Sequence, residues 1–169
     1  LLNGLLDRHR LQEGRMALAL RPESLERCLA ALIDEMRPAA QAKGLALRFE
    51  AEGLAGWWLL DALRLQQIVR NLVVNAIKFT GRGVVTLRSG LHDSARGAPW
   101  RHLHIAVIDQ GPGVDPALLS RLFERFQTSG GDRPGSGLGL HLSRDLARAV
   151  GGTLEAGAAP GGASDAGAE

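Results

Sequence analysis

Arg70-Asn71-Leu72-Val73-Val74-Asn75-Ala76-Ile77-Lys78-Phe79-Thr80 is the stretch on which the fold turns. Projected at helical pitch, Arg64, Gln67, Asn71, Asn75 and Lys78 share an arc of roughly 80°, and Leu65, Ile68, Leu72, Ala76 and Phe79 fill the arc beside it. The second group is the expected core face, and Asp61 is the expected N-cap. Two uncharged amides and an amine next to buried surface suit a polyanion and a metal ion better than acid–base chemistry. A solvated helix face that happens to carry asparagine would look the same. The helix therefore needs partners elsewhere in the chain before it can be read as a site.

The chain has 169 residues, enough for one domain with a real core and small appendages. No apolar run approaches the ~18 residues that span a bilayer, and the first residues lack the basic start and apolar block of a signal peptide. No membrane contact by this segment is expected. The single cysteine, Cys28, falls in an apolar-periodic helix and is expected to be a buried thiol, which favours a reducing, cytoplasmic setting, any membrane anchor lying outside this segment. Net charge is +2, and the basic residues are scattered without aromatic platforms, so no nucleic-acid partner is expected. The 22 glycines are the unusual feature of the composition, because they concentrate after residue 80.

Leu1 to about Glu13 reads as the end of a longer helix, with Gly14 as its stop. Met16 to Leu20 is expected to be a short strand. A helix then opens at Glu23 or Ser24 and runs to about Lys43, with Leu25, Cys28, Leu29, Leu32, Ile33 and Met36 inward and a kink or division at Pro38. Leu45, Leu47 and Phe49 alternate as a strand, and Trp57 to Leu60 form another, with the tryptophans at core and sheet edge. Val84–Ser89 and Arg101–Asp109 are strands. Asp115 and Pro116 start a helix through about Arg125. Gln127 to Ser136 is a glycine-rich mobile loop, Leu138–Val150 a helix, and Gly152–Ala156 a last short strand. From Gly157 onward nothing can be buried. Helices alternating with hairpin-like strand pairs predict an α/β two-layer sandwich, a mixed, mostly antiparallel sheet packed on three main helices.

Two glycine motifs supply the partners. Asp109-Gln110-Gly111-Pro112-Gly113 follows a strand, where a carboxylate can accept from an adenine amino group and glycines let backbone approach the base and sugar. An Asp capping a turn is the competing reading. Gly135-Ser136-Gly137-Leu138-Gly139-Leu140 opens a helix, where free N–H groups and close backbone approach suit phosphates. It lacks the Gly-Lys-Ser/Thr ending of a Walker loop. Leu122-Phe123-Glu124-Arg125-Phe126 lies between them and reads as packing that anchors one end of the loop.

The order of these motifs closely resembles the N, first-glycine, F and second-glycine boxes of the catalytic ATP-binding domain of sensor histidine kinases. Asp61, Arg64, Leu65, Gln67 and Ile68 before them, and Gly151-Gly152-Thr153-Leu154-Glu155 after them, look similar too. The resemblance covers about residues 16 to 157. It divides the chain into an end of a dimerisation helix (1–14), a catalytic ATP-binding domain (15–157) and a tail or truncated strand (158–169). It implies a Bergerat ATP-binding fold. Asn75 would then coordinate Mg²⁺, and Asn71 and Lys78 would approach the phosphates and carry the catalytic role. Asp109 would bind adenine in a pocket shaped by Gly111 and Gly113. Gly135, Ser136, Gly137, Leu138 and Gly139 would cradle phosphates under a lid, with Arg125 and Arg133 as further phosphate contacts.

The same resemblance implies ATP or ADP with Mg²⁺ as cofactors and transfer of the γ-phosphoryl group to a histidine on a dimerisation domain. A response regulator, or a receiver domain downstream, would be the next partner. Gyrase-like and mismatch-repair ATPases place a glutamate where Asn71 stands, to activate water; an amide lacks the basicity to do so. Asn71 thus favours transfer to an imidazole over hydrolysis. A non-catalytic nucleotide-binding module and an ATPase of the same fold are the alternatives. None of His9, His92, His102, His104 and His141 lies in the family's phosphoacceptor context, so the segment alone is not expected to autophosphorylate.

Overall fold

The computed structural model describes residues 17–93, 101–119, 121–123 and 139–157. The expected terminal helix before Gly14 and the tail after residue 157 lie outside these residues. In chain order the elements are β1 (Arg21–Glu23), α1 (Leu25–Ala42), β2 (Leu45–Ala51), β3 (Trp58–Leu60), α2 (Ala62–Phe79), β4 (Gly83–Asp93), β5 (Arg101–Ile108), α3 (Pro116–Leu119) and α4 (Gly139–Ala149).

The strands form a mixed three-stranded sheet ordered β2-β4-β5 and a separate two-stranded ribbon β1-β3. β2 runs parallel to β4, with Leu47 beside Val85. β4 runs antiparallel to β5, with Leu87 beside Val107. Odd-numbered residues of β4 turn inward, and Val85 and Leu87 are fully buried. Leu45 and Leu47 of β2 join them beneath Leu25, Leu29, Leu32 and Ile33 of α1. Each such leucine contributes on the order of 2 kcal/mol through the apolar area it removes from water. Cys28 is only half-buried, yet burial still pushes its thiol pKa up, outweighing the opposing hydrogen bond to Gln66. The expected two-layer sandwich of a mixed sheet and three main helices is what forms.

Helix α2 sits centrally, between α1 and α4, and its apolar surface is wider than one stripe. Val69, Val73, Ala76 and Ile77 enter the main core, while Ile68 faces a second cluster with Leu146 and Ala147 of α4. The core face expected from periodicity is thus rotated. Phe79 is largely exposed, and Leu65 and Leu72 flank the core instead of forming its centre. Sandwiching between two helices and a sheet demands apolar residues over half the circumference, which a single-stripe projection misses. Asp61 caps the helix as expected, its Oδ1 accepting from Arg64 N–H at 3.2 Å. Its Oδ2 accepts from Ala19 N–H at 3.0 Å, which holds the incoming chain against the start of α2.

Other boundaries differ from expectation for local reasons. The first strand is Arg21–Glu23, since Trp58–Leu60 pairs there, and 17–20 are irregular. Trp58 packs on the core and donates from Nε1 to Leu54 O at 3.2 Å, whereas Trp57 is exposed. Helix α1 runs through Pro38 without division. The proline lies on the solvent side, where water can serve the carbonyl it leaves unbonded. Helix α3 is one turn, residues 121–123 form further turns, and the expected continuation to Arg125 lies outside the described residues. The expected strand at Gly152–Ala156 is absent. Gly151, at φ +83°, and Gly152 close α4 through N–H bonds to Arg148 O and Ala147 O. Leu154 then covers the second cluster from irregular backbone.

Candidate functional site

The polar arc of α2 survives in three dimensions. Arg64, Gln67, Asn71, Asn75 and Lys78 are all half-buried along one side of the helix. Toward the N-terminal end the arc is self-paired, with an Arg64 guanidinium N–H donating to Gln67 Oε1 at 3.1 Å. Asn71, Asn75 and Lys78 follow over the last turns, the helix rising about 1.5 Å per residue. Lys78 Nζ lies 5.0 Å from the centre of the Phe79 ring. That contact keeps an exposed phenylalanine beside the site.

Asn71 is held on both sides of its amide. Its Nδ2 donates to Ser143 Oγ at 2.8 Å, and Ser143 is only 2% exposed. Its Oδ1 occupies the space that a Cβ on Gly139 would need. Gly139 and Ser143 are four residues apart on α4, so both face α2. Asn75 has a different environment. Among the described residues its side chain makes no hydrogen bond, which leaves the amide oxygen as an available hard donor.

Asp109 stands just past β5, at the C-terminal end of α2. Its Oδ1 accepts from Gly111 N–H at 2.8 Å and lies 3.5 Å from Thr80 Oγ1. An added Cβ at Gly111 would lie 2.7 Å from that same oxygen, so a side chain there would displace the carboxylate from its bond to the Gly111 N–H. Oδ2 remains as an acceptor. Gly113, at φ +74°, has open space around its Cβ position. Gln110 turns the other way: its Oε1 accepts from Val84 N–H at 3.0 Å and fills the place of a side chain at Gly83.

Of the sequence-predicted residues, the structure places Asn71, Asn75 and Lys78 on α2 and brings Asp109, Gly111 and Gly139 against it, whereas Gly113 stands in open space beyond Gly111. Arg125, Arg133, Gly135, Ser136, Gly137 and Leu138 lie outside the described residues. His141, behind the second glycine motif, joins the two ends of that stretch. Its Nδ1 is 3.0 Å from Phe123 O and its Nε2 is 3.2 Å from Asp145 Oδ2. His102 and His104 are exposed on β5, where His92 meets His104 edge-to-face. Among the described residues no three His, Cys, Asp or Glu side chains group as a metal cage.

Sequence reasoning missed Lys43 and Ser143. Lys43 ends α1, and its Nζ donates to the carbonyls of Ile77 at 2.5 Å, Lys78 at 2.9 Å and Thr80 at 2.9 Å. These are carbonyls at the end of α2 that no helical N–H can satisfy. Nothing in the local sequence of Lys43 signals that role. Ser143 did carry a signal: it follows Gly139 at helical spacing and therefore shares its face.

Comparison with known proteins identifies the family and the fold. A family model described as histidine kinase-, DNA gyrase B-, and HSP90-like ATPase matches residues 60–167. The chain is 33% identical over 165 residues to the sensor protein TorS of Escherichia coli, covering 95% of this chain and 17% of that protein. It is 35% identical over 168 residues to the virulence sensor protein BvgS of Bordetella bronchiseptica, covering 95% and 13% respectively. The chain therefore spans less than a fifth of the length of these curated relatives. Among solved structures, full-length ShkA in complex with AMPPNP superposes with a TM-score of 0.75 at 33% identity, over 88% of this chain and 30% of that one.

Proposed function

Because the chain belongs to the histidine kinase-, DNA gyrase B-, and HSP90-like ATPase family, we propose that it binds Mg-ATP and serves as the catalytic domain of a sensor histidine kinase. Its architecture is the Bergerat ATP-binding fold, shared with ShkA. The γ-phosphoryl acceptor in this reading is a histidine on a dimerisation domain of the same kinase, and a response regulator or receiver domain takes the phosphoryl group next. The cytoplasm is the compartment that fits these partners. The observation that carries the proposal is the set of groups on and around α2: Asn71, Asn75 and Lys78 on one side, with Asp109 clasped at the helix end.

Each group has a role that its chemistry allows. Asp109, anchored through Oδ1, offers Oδ2 to the amino group of adenine, and Gly111 and Gly113 leave room for the base. Lys78 neutralises phosphate charge, and Asn71 donates to a phosphate oxygen with the N–H not given to Ser143. Gly135, Ser136, Gly137, Leu138 and Gly139 supply backbone donors to the phosphates, with Arg125 and Arg133 as outer contacts. The donor chemistry at Asn75 fits Mg²⁺, which takes hard oxygen ligands, retains several waters and needs only one or two protein groups beside phosphates. When bound, the ion screens the charge of the transferring phosphoryl group. Asn71 has no basicity with which to activate water, so the arrangement positions ATP for an external nucleophile and does not promote hydrolysis.

Calorimetric titration of ATP into wild type and Asn75→Ala, with and without Mg²⁺, tests the reading. Wild-type binding should strengthen with Mg²⁺, and the variant should lose most of that gain. Equal Mg-dependent affinity in both proteins would remove Asn75 from the metal. Absence of ATP binding by wild type would overturn the function.

A further inference from the structure

We propose that Ser143 and Gly139 form a seat that fixes the amide plane of Asn71, making Ser143 a positioning residue for the nucleotide site. The inference rests on the nucleotide-binding reading above and adds a residue outside the glycine motif. Asn71 carries an oxygen and two N–H donors on one rotatable plane, and a half-turn of that plane exchanges acceptor for donor. A half-buried amide left free would present both faces to a phosphate, one of them repulsive. The seat removes that freedom. Ser143 Oγ, 2.8 Å from Nδ2 and itself 2% exposed, engages the amino side. Gly139 leaves the pocket that receives the carbonyl side, since its missing Cβ is where Oδ1 sits.

The geometry also revises why position 139 is glycine. A glycine at the end of a phosphate motif is commonly credited to the phosphate. Here a Cβ would strike Asn71 before any ligand arrives. Because Gly139 begins α4 and Asn71 lies in the middle of α2, the seat also fixes how closely the two helices approach beside the site. The second apolar cluster, Ile68 with Leu146 and Ala147, packs the same interface from below but carries no polar group to set the amide.

The test uses the chain itself, with Mg-ATP as probe. Ser143→Ala should raise the Kd for Mg-ATP about two- to fivefold, from equal population of the two amide orientations up to the full worth of one hydrogen bond, and Ser143→Thr, which keeps the hydroxyl, should restore it. The direct readout is the Asn71 side-chain amide resonance, identified by its disappearance in Asn71→Ala. It should shift in Ser143→Ala without nucleotide present. A double-mutant cycle gives the other half of the seat: the thermal destabilisation caused by Gly139→Ala should shrink in an Asn71→Ala background. An unmoved amide resonance and an unchanged Kd in Ser143→Ala would overturn the proposal. A moved resonance with unchanged Kd would reduce the bond to a structural one and equally overturn the positioning role. No Mg-ATP binding by wild type, with the resonance still dependent on Ser143, would sink the nucleotide reading and leave the seat standing.

Discussion

Replacing Lys43 with methionine should loosen the end of α2 that carries Lys78 and Thr80. Methionine keeps the apolar stem and deletes the ammonium, so the change isolates three donated bonds, to Ile77, Lys78 and Thr80 carbonyls at 2.5–2.9 Å. A cation at a helix C-terminus contributes about 0.3–1 kcal/mol. Hydrogen bonds to a charged group each add about 1.5–3 kcal/mol where water cannot replace them. Lys43 is exposed and its bond to the Lys78 carbonyl is open to solvent, so one bond's worth at the lower end is the reasonable sum. The total is about 2 kcal/mol. For a chain of this size that lowers the melting temperature by roughly 4–8 °C. Thermal unfolding followed by circular dichroism measures it. Lys43→Arg should recover only part, since a planar guanidinium cannot aim three donors from one nitrogen at three converging carbonyls. A methionine variant melting within about 1 °C of wild type would refute the clamp. Full recovery by arginine would show that charge alone matters and the convergent geometry does not.

Three further perturbations probe the elements that hold the site. Gly83→Ala should destabilise the domain by about 1–3 kcal/mol in denaturant titrations, because position 83 has φ +102° and its Cβ space holds Gln110. Adding Gln110→Ala should relieve only the steric part, and complete relief would show that the backbone conformation carries no cost. Asp61→Ala should cost about 2 kcal/mol, from a lost N-cap and an orphaned Ala19 N–H. Asp61→Asn should fall between; an asparagine variant as stable as wild type would mean that the second bond contributes nothing. Arg70, hydrogen-bonded to Glu35 across α1 and α2, holds that carboxyl below the usual glutamate range. The contribution is therefore full above the ordinary carboxylate pKa and lost as pH falls through the lowered one. The melting-temperature gap between wild type and Glu35→Gln should close on acidification and shrink in salt, since the pair is exposed. A gap persisting in acid and high salt would contradict that.

The helix bearing Asn71, Asn75 and Lys78 was legible because its polar and apolar residues separate at 3.6-residue spacing, and Asp61 sits where a cap belongs. What periodicity could not reveal is how many neighbours the helix has. With sheet and α1 on one side and α4 on the other, Val69, Val73 and Ile77 became core, and Phe79 was left outside. The strand misplaced at Met16–Leu20 shows a related blindness. Alternation marks a segment as able to pair, but the Trp58–Leu60 partner decides which residues do. The absent strand at Gly152–Ala156 reflects the rest of this lesson: an apolar residue such as Leu154 can be buried from a loop when a helix pair offers a groove. Among site residues, Asp109 with Gly111 was readable because the contact is local, two residues apart. The Asn71–Ser143 and Lys43–Thr80 contacts span 72 and 37 residues, and no local pattern encodes them.

Those long-range contacts have a common logic. A helix held only by its apolar face can rotate or slide slightly at low cost, since dispersion and burial are non-directional. Positioning for phosphoryl transfer does not tolerate such play, and a displacement of about 1 Å can cost two orders of magnitude in rate. Besides the Arg70–Glu35 pair and the Gln66 bond to Cys28 O on its α1 side, α2 carries directional restraints at three levels along the polar arc. Asp61 fixes the first turn, Ser143 and Gly139 fix the middle at Asn71, and Lys43 fixes the last carbonyls. Asn75 and Lys78, the groups proposed to meet Mg²⁺ and phosphate, lie between the middle and last restraints. Loss of the first restraint should therefore appear chiefly as lost stability. Loss of either of the others should also move ligand affinity, because only these bracket the groups proposed to touch it.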